Sequence, residues 1–194
     1  MSDPIQTAKA ALRHEALARR DALPAKTRQH AAEAIAARKF PLGIGSHTIV
    51  SGFMPLKSEI SPLPLMKTLA AAGARLALPV IAGRGKPLIM RSWNFGDELD
   101  RGQWNIREPK PAAAEVEPDI LLVPLLAFDR TGHRIGYGAG YYDMTIGKLR
   151  ARKPIVAIGL AFAAQEVPAV PATPRDARLD FVLTELEVID LRAS

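Results

Sequence analysis

The 194-residue chain contains no cysteine, which excludes a disulfide framework, a thiolate zinc site, an iron–sulfur cluster and a cysteine nucleophile. Aromatic residues are sparse, at 6%, and none precedes Phe40. The basic N-terminal segment therefore lacks the stacking platforms of a single-strand nucleic-acid binder. Long apolar runs are also missing. The longest, Ile120 to Phe128 and Pro154 to Ala164, fall short of the roughly 18 residues needed to span a bilayer. The first residues show no apolar signal region and no small-residue cleavage site, so the expectation is a soluble, cytoplasmic protein. Histidines 14, 30, 47 and 133 are too scattered for a zinc site, and neither HExxH nor a GxSxG elbow occurs.

What remains is an ordinary globular composition, 48% apolar and 24% charged, of a length that suits one domain over residues 1–194. The net charge of +6 is uneven. Eight Lys and Arg against four acids precede Phe40 and Pro41, so +4 of it lies in the first fifth of the chain. Asp3 followed by Pro4 reads as a helix start, and Pro24 closes that stretch. Lys9 and Arg13 are four apart and Arg20 is seven further on, so the three share one helical stripe. Such a stripe serves as a solvated face or as a receptor for a small polyanion.

Further elements follow from periodicity and turn residues. Helices are expected over Thr27 to Lys39, from Ser61 and Pro62 to Gly73, and over Tyr141 to Arg152. Strands are expected through Thr48 to Val50 and Phe53, over Arg75 to Val80, Leu88 to Trp93, Asp119 to Val123, Ile155 to Leu160 and Phe181 to Thr184. The segment from Asp97 to Glu117 reads as a long irregular functional loop. Alternating strands and helices with a central hairpin imply a three-layer αβα domain on a mixed sheet.

The densest signal lies between a buried strand and a helix. Glycines 136, 138 and 140 alternate, letting backbone amides close on phosphate oxygens at a helix N-terminus. Arg134 offers a guanidinium for phosphate, and Asp143, in the first helical turn, suits a hydrated magnesium ion. The pattern is neither GxxxxGK[ST] nor GxGxxG. Trp104, in a polar irregular segment, is a candidate cover for a flat ligand, whereas Trp93 is equally a core residue.

The run Phe128-Asp129-Arg130-Thr131-Gly132-His133-Arg134-Ile135-Gly136-Tyr137-Gly138-Ala139-Gly140-Tyr141-Tyr142-Asp143 resembles the FDxxGxRLGxGxGYYD pattern of the 5-formyltetrahydrofolate cyclo-ligases, also called 5,10-methenyltetrahydrofolate synthetases. The resemblance covers nearly the whole chain. It includes Asp119 to Pro124, Lys9 with Arg13, Glu59, Trp104-Asn105-Ile106 with Pro109, and Asp176 with Asp180. It implies the fold shared with ribose-phosphate isomerase and CoA transferases. The implied reaction is ATP-dependent closure of 5-formyltetrahydrofolate to 5,10-methenyltetrahydrofolate through a phosphorylated formyl group, releasing ADP and phosphate.

Carried over position by position, Lys9, Arg13, Arg134 and the loop Gly136, Tyr137, Gly138, Ala139, Gly140, Tyr141 and Tyr142 would bind ATP. Met54, Glu59 and Trp104 would bind the folate, and Asp143 and Asp176 the magnesium ion. Two positions depart from the family, which often has Arg where this chain has Tyr137 and Lys or Gly where it has Ala139. Uncompensated, the loss weakens ATP binding by ~1–3 kcal/mol, and Arg130, Lys148 and Arg175 are the candidate substitutes. The alternatives are a folate- or nucleotide-binding protein of the same fold that has lost turnover, a basic nucleic-acid-binding module suggested by charge alone, and a sugar-phosphate isomerase suggested by fold alone.

Overall fold

The computed structural model describes residues 3–192. Helix α1 (Pro4–Asp21) starts where the sequence places it. Asp3 Oδ1 accepts the Ile5 amide at 3.0 Å, Pro4 fills the first turn, and Arg19 and Arg20 sit in the last turn, where the helix dipole favours positive charge. Helices α2 (Ala25–Ala37) and α3 (Leu63–Ala71) follow, with strand β1 (Ile49–Ser51) between them. After β2 (Arg75–Val80) and β3 (Ile89–Ser92) come β4 (Leu99–Arg101) and β5 (Arg107–Pro109), then β6 (Ile120–Pro124), β7 (Ala127–Phe128) and β8 (Arg134–Ile135). Helix α4 (Tyr141–Arg150), β9 (Val156–Leu160), β10 (Phe181–Leu183) and β11 (Val188–Asp190) complete the order.

Seven strands form one mixed sheet in the order β11-β10-β9-β6-β1-β2-β3. Only the outermost pairings, β2 with β3 and β10 with β11, are antiparallel. The inner strands are apolar throughout because both faces are covered. Val50, Leu76, Leu78, Ile120, Leu122, Ile158, Phe181 and Leu183 point to the face under α2 and α3. Ala77, Leu121, Val123, Ala157 and Val182 point to the face under α4. These are the three layers expected. Helix α1 belongs to neither face. Its Ala16, Leu12 and Leu17 pack on Leu126, Ala127 and Ile135 beyond the carboxyl end of β6.

The chain leaves β1 toward β2 and β3 on one side and later returns to add β6, β9 and β10 on the other. The topological reversal therefore lies between β1 and β6, and ligands of open α/β sheets bind beyond the strand ends at such a point.

Three expectations are corrected. Asp97 to Glu117 is not irregular: β4 and β5 pair as an antiparallel hairpin around a 3₁₀ turn at Gln103–Asn105. The segment before the glycines contains its own hairpin, β7 with β8. Strand β11 pairs with β10 after the expected last strand. All these pieces are only two or three residues long, too short to show a period.

The turn of the β7–β8 hairpin is built on Asp129, which is 3% exposed. Its carboxylate accepts from the Thr131 amide and hydroxyl, the His133 amide and the Val170 amide. Burial alone works to raise its pKa, but these hydrogen bonds outweigh it and hold the carboxyl below the ordinary aspartate value. The stabilisation is thus fully present above the unfolded-state pKa and is lost as pH falls through the lower folded value. An Asn at this position must turn an N–H toward one of these donors. We expect Asp129→Asn to cost about 2–3 kcal/mol, lowering the thermal midpoint by roughly 4–12 °C for a chain of this size. An unchanged midpoint in a calorimetric scan would contradict this role.

Candidate functional site

The crevice at the reversal point is walled by the segment after β1, the glycine loop between β8 and α4, and one face of α1. The Lys9, Arg13 and Arg20 stripe faces this crevice rather than bulk solvent. Lys9 is 7% exposed and Arg20 is 1% exposed, while the half-buried Arg13 donates from Nε to the Gly136 carbonyl at 3.0 Å.

The glycine loop requires two of its glycines. Gly138 has φ +99, and a Cβ there would stand 3.2 Å from the Arg13 guanidinium carbon. Gly140, at φ +70, is the residue from which α4 starts. Both conformations are strained for a residue with a side chain, so the bend that leads the loop into α4 depends on them. Tyr137 and Ala139 are exposed between the glycines. The Tyr137 hydroxyl accepts from Arg20 Nη2 at 2.5 Å, and the Arg20 guanidinium lies 5.6 Å from its ring centre.

Two ion pairs lie beside the loop. Arg134, with a side chain 5% exposed, donates from Nη2 to Asp143 Oδ1 at 3.0 Å and from Nη1 to the Ala177 carbonyl. Burial works against its charge and lowers its pKa, with Asp143 opposing that effect. Lys9 Nζ reaches both Asp176 oxygens, at 2.8 and 2.6 Å. Burial tends to raise the Asp176 carboxyl, but Lys9 and the Thr173 amide and hydroxyl outweigh it and hold it low. The two carboxylates bracket a short stretch, because the Ala177 amide donates to Asp143 Oδ1 at 3.0 Å.

Glu59 lies across the crevice, at the end of a turn closed by its own amide on the Leu56 carbonyl. Its Oε2 accepts the Leu56 amide at 2.8 Å. Burial raises its carboxyl above the ordinary value, with the Leu56 amide and the Arg20 charge opposing. Burial, reinforced by the Glu59 charge, pushes the Tyr142 phenol up as well. Glu59 also opens onto a cleft of about 290 Å³ lined by Arg28, Gln29, Glu33 and Ser61. Met54 is half-buried against the core under α2 and α3. At the tip of the β4–β5 hairpin, Trp104 is 59% exposed, with its ring centre 6.0 Å from that of Tyr141. Trp104 and Asn105 both have positive φ, 54 and 61, a strain that concentrates at ligand-contact sites. Trp93 is 4% exposed and belongs to the core.

The remaining motif residues are structural. Asp119 accepts from the Ile49 amide and from Lys153, and Asp180 from the Ala157 amide and from Arg150. Both lie at the amino ends of the strands, away from the crevice. Arg130 is engaged by Glu166 and Glu187; Lys148 and Arg175 are exposed. Sequence reasoning missed the roles of Asp21 and Ser58: the Ser58 hydroxyl is gripped by Asp21 and Arg20. Among the described residues, no helix is long and apolar enough to cross a membrane.

The fold and crevice define a mixed α/β enzyme domain that presents a glycine loop, backed by cations, at the reversal point of its sheet. Residues 5–185 match the model of the 5-formyltetrahydrofolate cyclo-ligase family, and the chain belongs to that family of enzymes. It is 34% identical over 184 residues to the 5-formyltetrahydrofolate cyclo-ligase of Mycolicibacterium smegmatis, covering 91% of this chain and 93% of that protein. It is 33% identical over 180 residues to that of Escherichia coli K12, covering 88% and 96%. Among solved structures, the 5,10-methenyltetrahydrofolate synthetase of Aquifex aeolicus superposes with a TM-score of 0.78 at 28% identity, covering 95% of this chain and 93% of that one. The Mycoplasma pneumoniae synthetase, with a TM-score of 0.70 at 22% identity over 91% and 98% of the two chains, shares the fold.

Proposed function

We propose that this enzyme closes 5-formyltetrahydrofolate to 5,10-methenyltetrahydrofolate at the expense of ATP and with magnesium, releasing ADP and phosphate. The observation that carries this reading is the convergence of Arg13, the Gly136 to Gly140 loop and the α4 N-terminus on one side of a crevice that has Glu59 on the other. The first three suit a polyphosphate, and a half-buried carboxylate suits a ring N–H donor.

The magnesium assignment fits the donor set. Among the described residues, the partners of Asp143 all lie on Oδ1, and its side chain is 29% exposed. Oδ2 is thus available to a cation that takes one or two protein carboxylates and completes its shell with water and phosphate oxygens. Asp176, 21% exposed at its side chain, is the second ligand and releases Lys9 toward phosphate. When bound, the magnesium ion neutralises phosphate charge during transfer.

In the proposed reaction the formyl oxygen attacks the γ-phosphorus of ATP, the bond to the bridging oxygen breaks, and ADP leaves. Arg13 and the loop amides hold the phosphates in line, where positioning and charge stabilisation supply most of the catalysis. The folate N10 then bonds to the activated formyl carbon, and Glu59 accepts the N10 proton. The formyl oxygen departs as part of inorganic phosphate, leaving the methenyl bridge. A heavy-oxygen label in the formyl group is expected in the released phosphate. Label retained in water or in the folate product would exclude this route.

Trp104 is proposed to cover the flat folate. Adding 5-formyltetrahydrofolate is expected to quench and blue-shift the tryptophan emission. Trp104→Phe is expected to abolish the change, leaving only buried Trp93. A change of equal size in that variant would remove Trp104 from the site.

A further inference from the structure

Arg20 is buried to 1% exposure, yet among the described residues none of its hydrogen bonds goes to a carboxylate. Nε donates to Ser58 Oγ at 3.0 Å, Nη1 to the Leu125 carbonyl at 3.4 Å, and Nη2 to the Tyr137 hydroxyl. One side chain of α1 thereby touches the segment after β1, the end of β6 and the glycine loop after β8, joining two walls of the crevice. Ser58 in turn donates to Asp21 Oδ1, so two consecutive residues of α1 hold its hydroxyl from both sides. The held segment is strained: Lys57, just before Ser58, has φ +55, a conformation that persists only where its surroundings enforce it. Glu59 follows directly.

We propose that Arg20 is a positioning residue: with Asp21 it clamps Ser58 so that the adjacent Glu59 carboxylate faces the folate, and through Tyr137 it sets the glycine loop at a fixed distance opposite. The proposal rests on the folate-side role of Glu59 given above. Burying a charge without a direct counter-ion is costly, and a merely structural tie between two loops does not need one. The charge has an evident use here. The groups facing Glu59 are Arg20 from α1, Arg28 and Glu33 across the cleft from α2, Tyr137 from the loop and Tyr142 from α4, with Asp21 on the adjacent Ser58. Burial raises the Glu59 carboxyl, and the Arg20 charge opposes that rise. Arg20 thus has two separable effects, placement through Ser58 and a charge that favours the ionised form of its neighbour.

The test is the affinity for 5-formyltetrahydrofolate without ATP, measured calorimetrically across pH, together with KM for both substrates. Arg20→Gln is expected to weaken folate binding roughly fivefold or more and to move its acid limb upward, with a smaller rise in KM for ATP from the loosened glycine loop. Arg20→Lys is expected to return the limb to its original position while folate binding stays weak, because the charge is restored without the fork. Ser58→Ala is expected to weaken folate binding with the limb unmoved, and it carries the test if Arg20→Gln does not fold. An Arg20→Gln protein with unchanged folate affinity and limb overturns the proposal. So does equal weakening toward folate and ATP, which would mark a general structural role. If Glu59→Gln leaves folate binding and turnover intact, the fault lies instead with the assigned role of Glu59.

Discussion

Arg134→Met is expected to lower kcat/KM for ATP by about a hundredfold or more, the loss that a small misplacement of the groups around a transferring phosphate brings. The expectation rests on where the guanidinium is pinned. Arg134 spans Asp143 on α4 and the Ala177 carbonyl next to Asp176, and so aligns both carboxylates proposed to hold magnesium. Methionine fills the space but leaves the Asp143 carboxylate without its cation and the Ala177 carbonyl without its side-chain donor. Lysine restores charge but cannot reach two acceptors in divergent directions, so Arg134→Lys is expected to recover only part of the loss. Steady-state kinetics with varied ATP, on protein whose circular dichroism is unchanged, makes the measurement. Unaltered ATP kinetics would remove Arg134 from the phosphate side of the site.

Glu59→Gln is expected to reduce kcat by about a hundredfold, the lower end of what a positioned base contributes. Glutamine keeps the acceptor for the Leu56 amide but cannot take the N10 proton. Burial is the largest influence on this carboxyl and raises it above the ordinary value of 4.5. A base must be deprotonated to act, so activity falls as pH falls through that raised pKa. The acid limb of the kcat profile is therefore expected above 4.5 in the native enzyme and absent from Glu59→Gln. An intact limb in the variant would assign the titration to another group.

Much of the site was legible because it is written locally. The spacing of Lys9, Arg13 and Arg20 puts them on one helical stripe whatever the fold, and the alternate glycines fix a bend that follows from φ at Gly138 and Gly140. The continuous apolar strands announced a sheet covered on both faces. Other features depend on contacts far apart in sequence. Asp21 and Ser58 are 37 positions apart, and nothing in either segment announces the partner. The pairing of Lys9 with Asp176 spans 167 positions; the sequence marks both as ligand-binding types without showing that they neutralise each other. The charge stripe alone read more readily as a solvated face, and the burial of Lys9 and Arg20 decided against it. Tyr137 acquires a cationic partner from α1, a contact visible only once helix and loop are packed together.

The proposed reaction is tested most directly by following the methenyl chromophore after purified protein meets 5-formyltetrahydrofolate, with ATP and magnesium present together, each omitted in turn, and both omitted. The expected result is absorbance growth only when both are present, with one ADP formed per ring closed. Tight folate binding without chromophore under any of these conditions would contradict the proposed cyclisation and leave a folate-binding protein that has lost turnover.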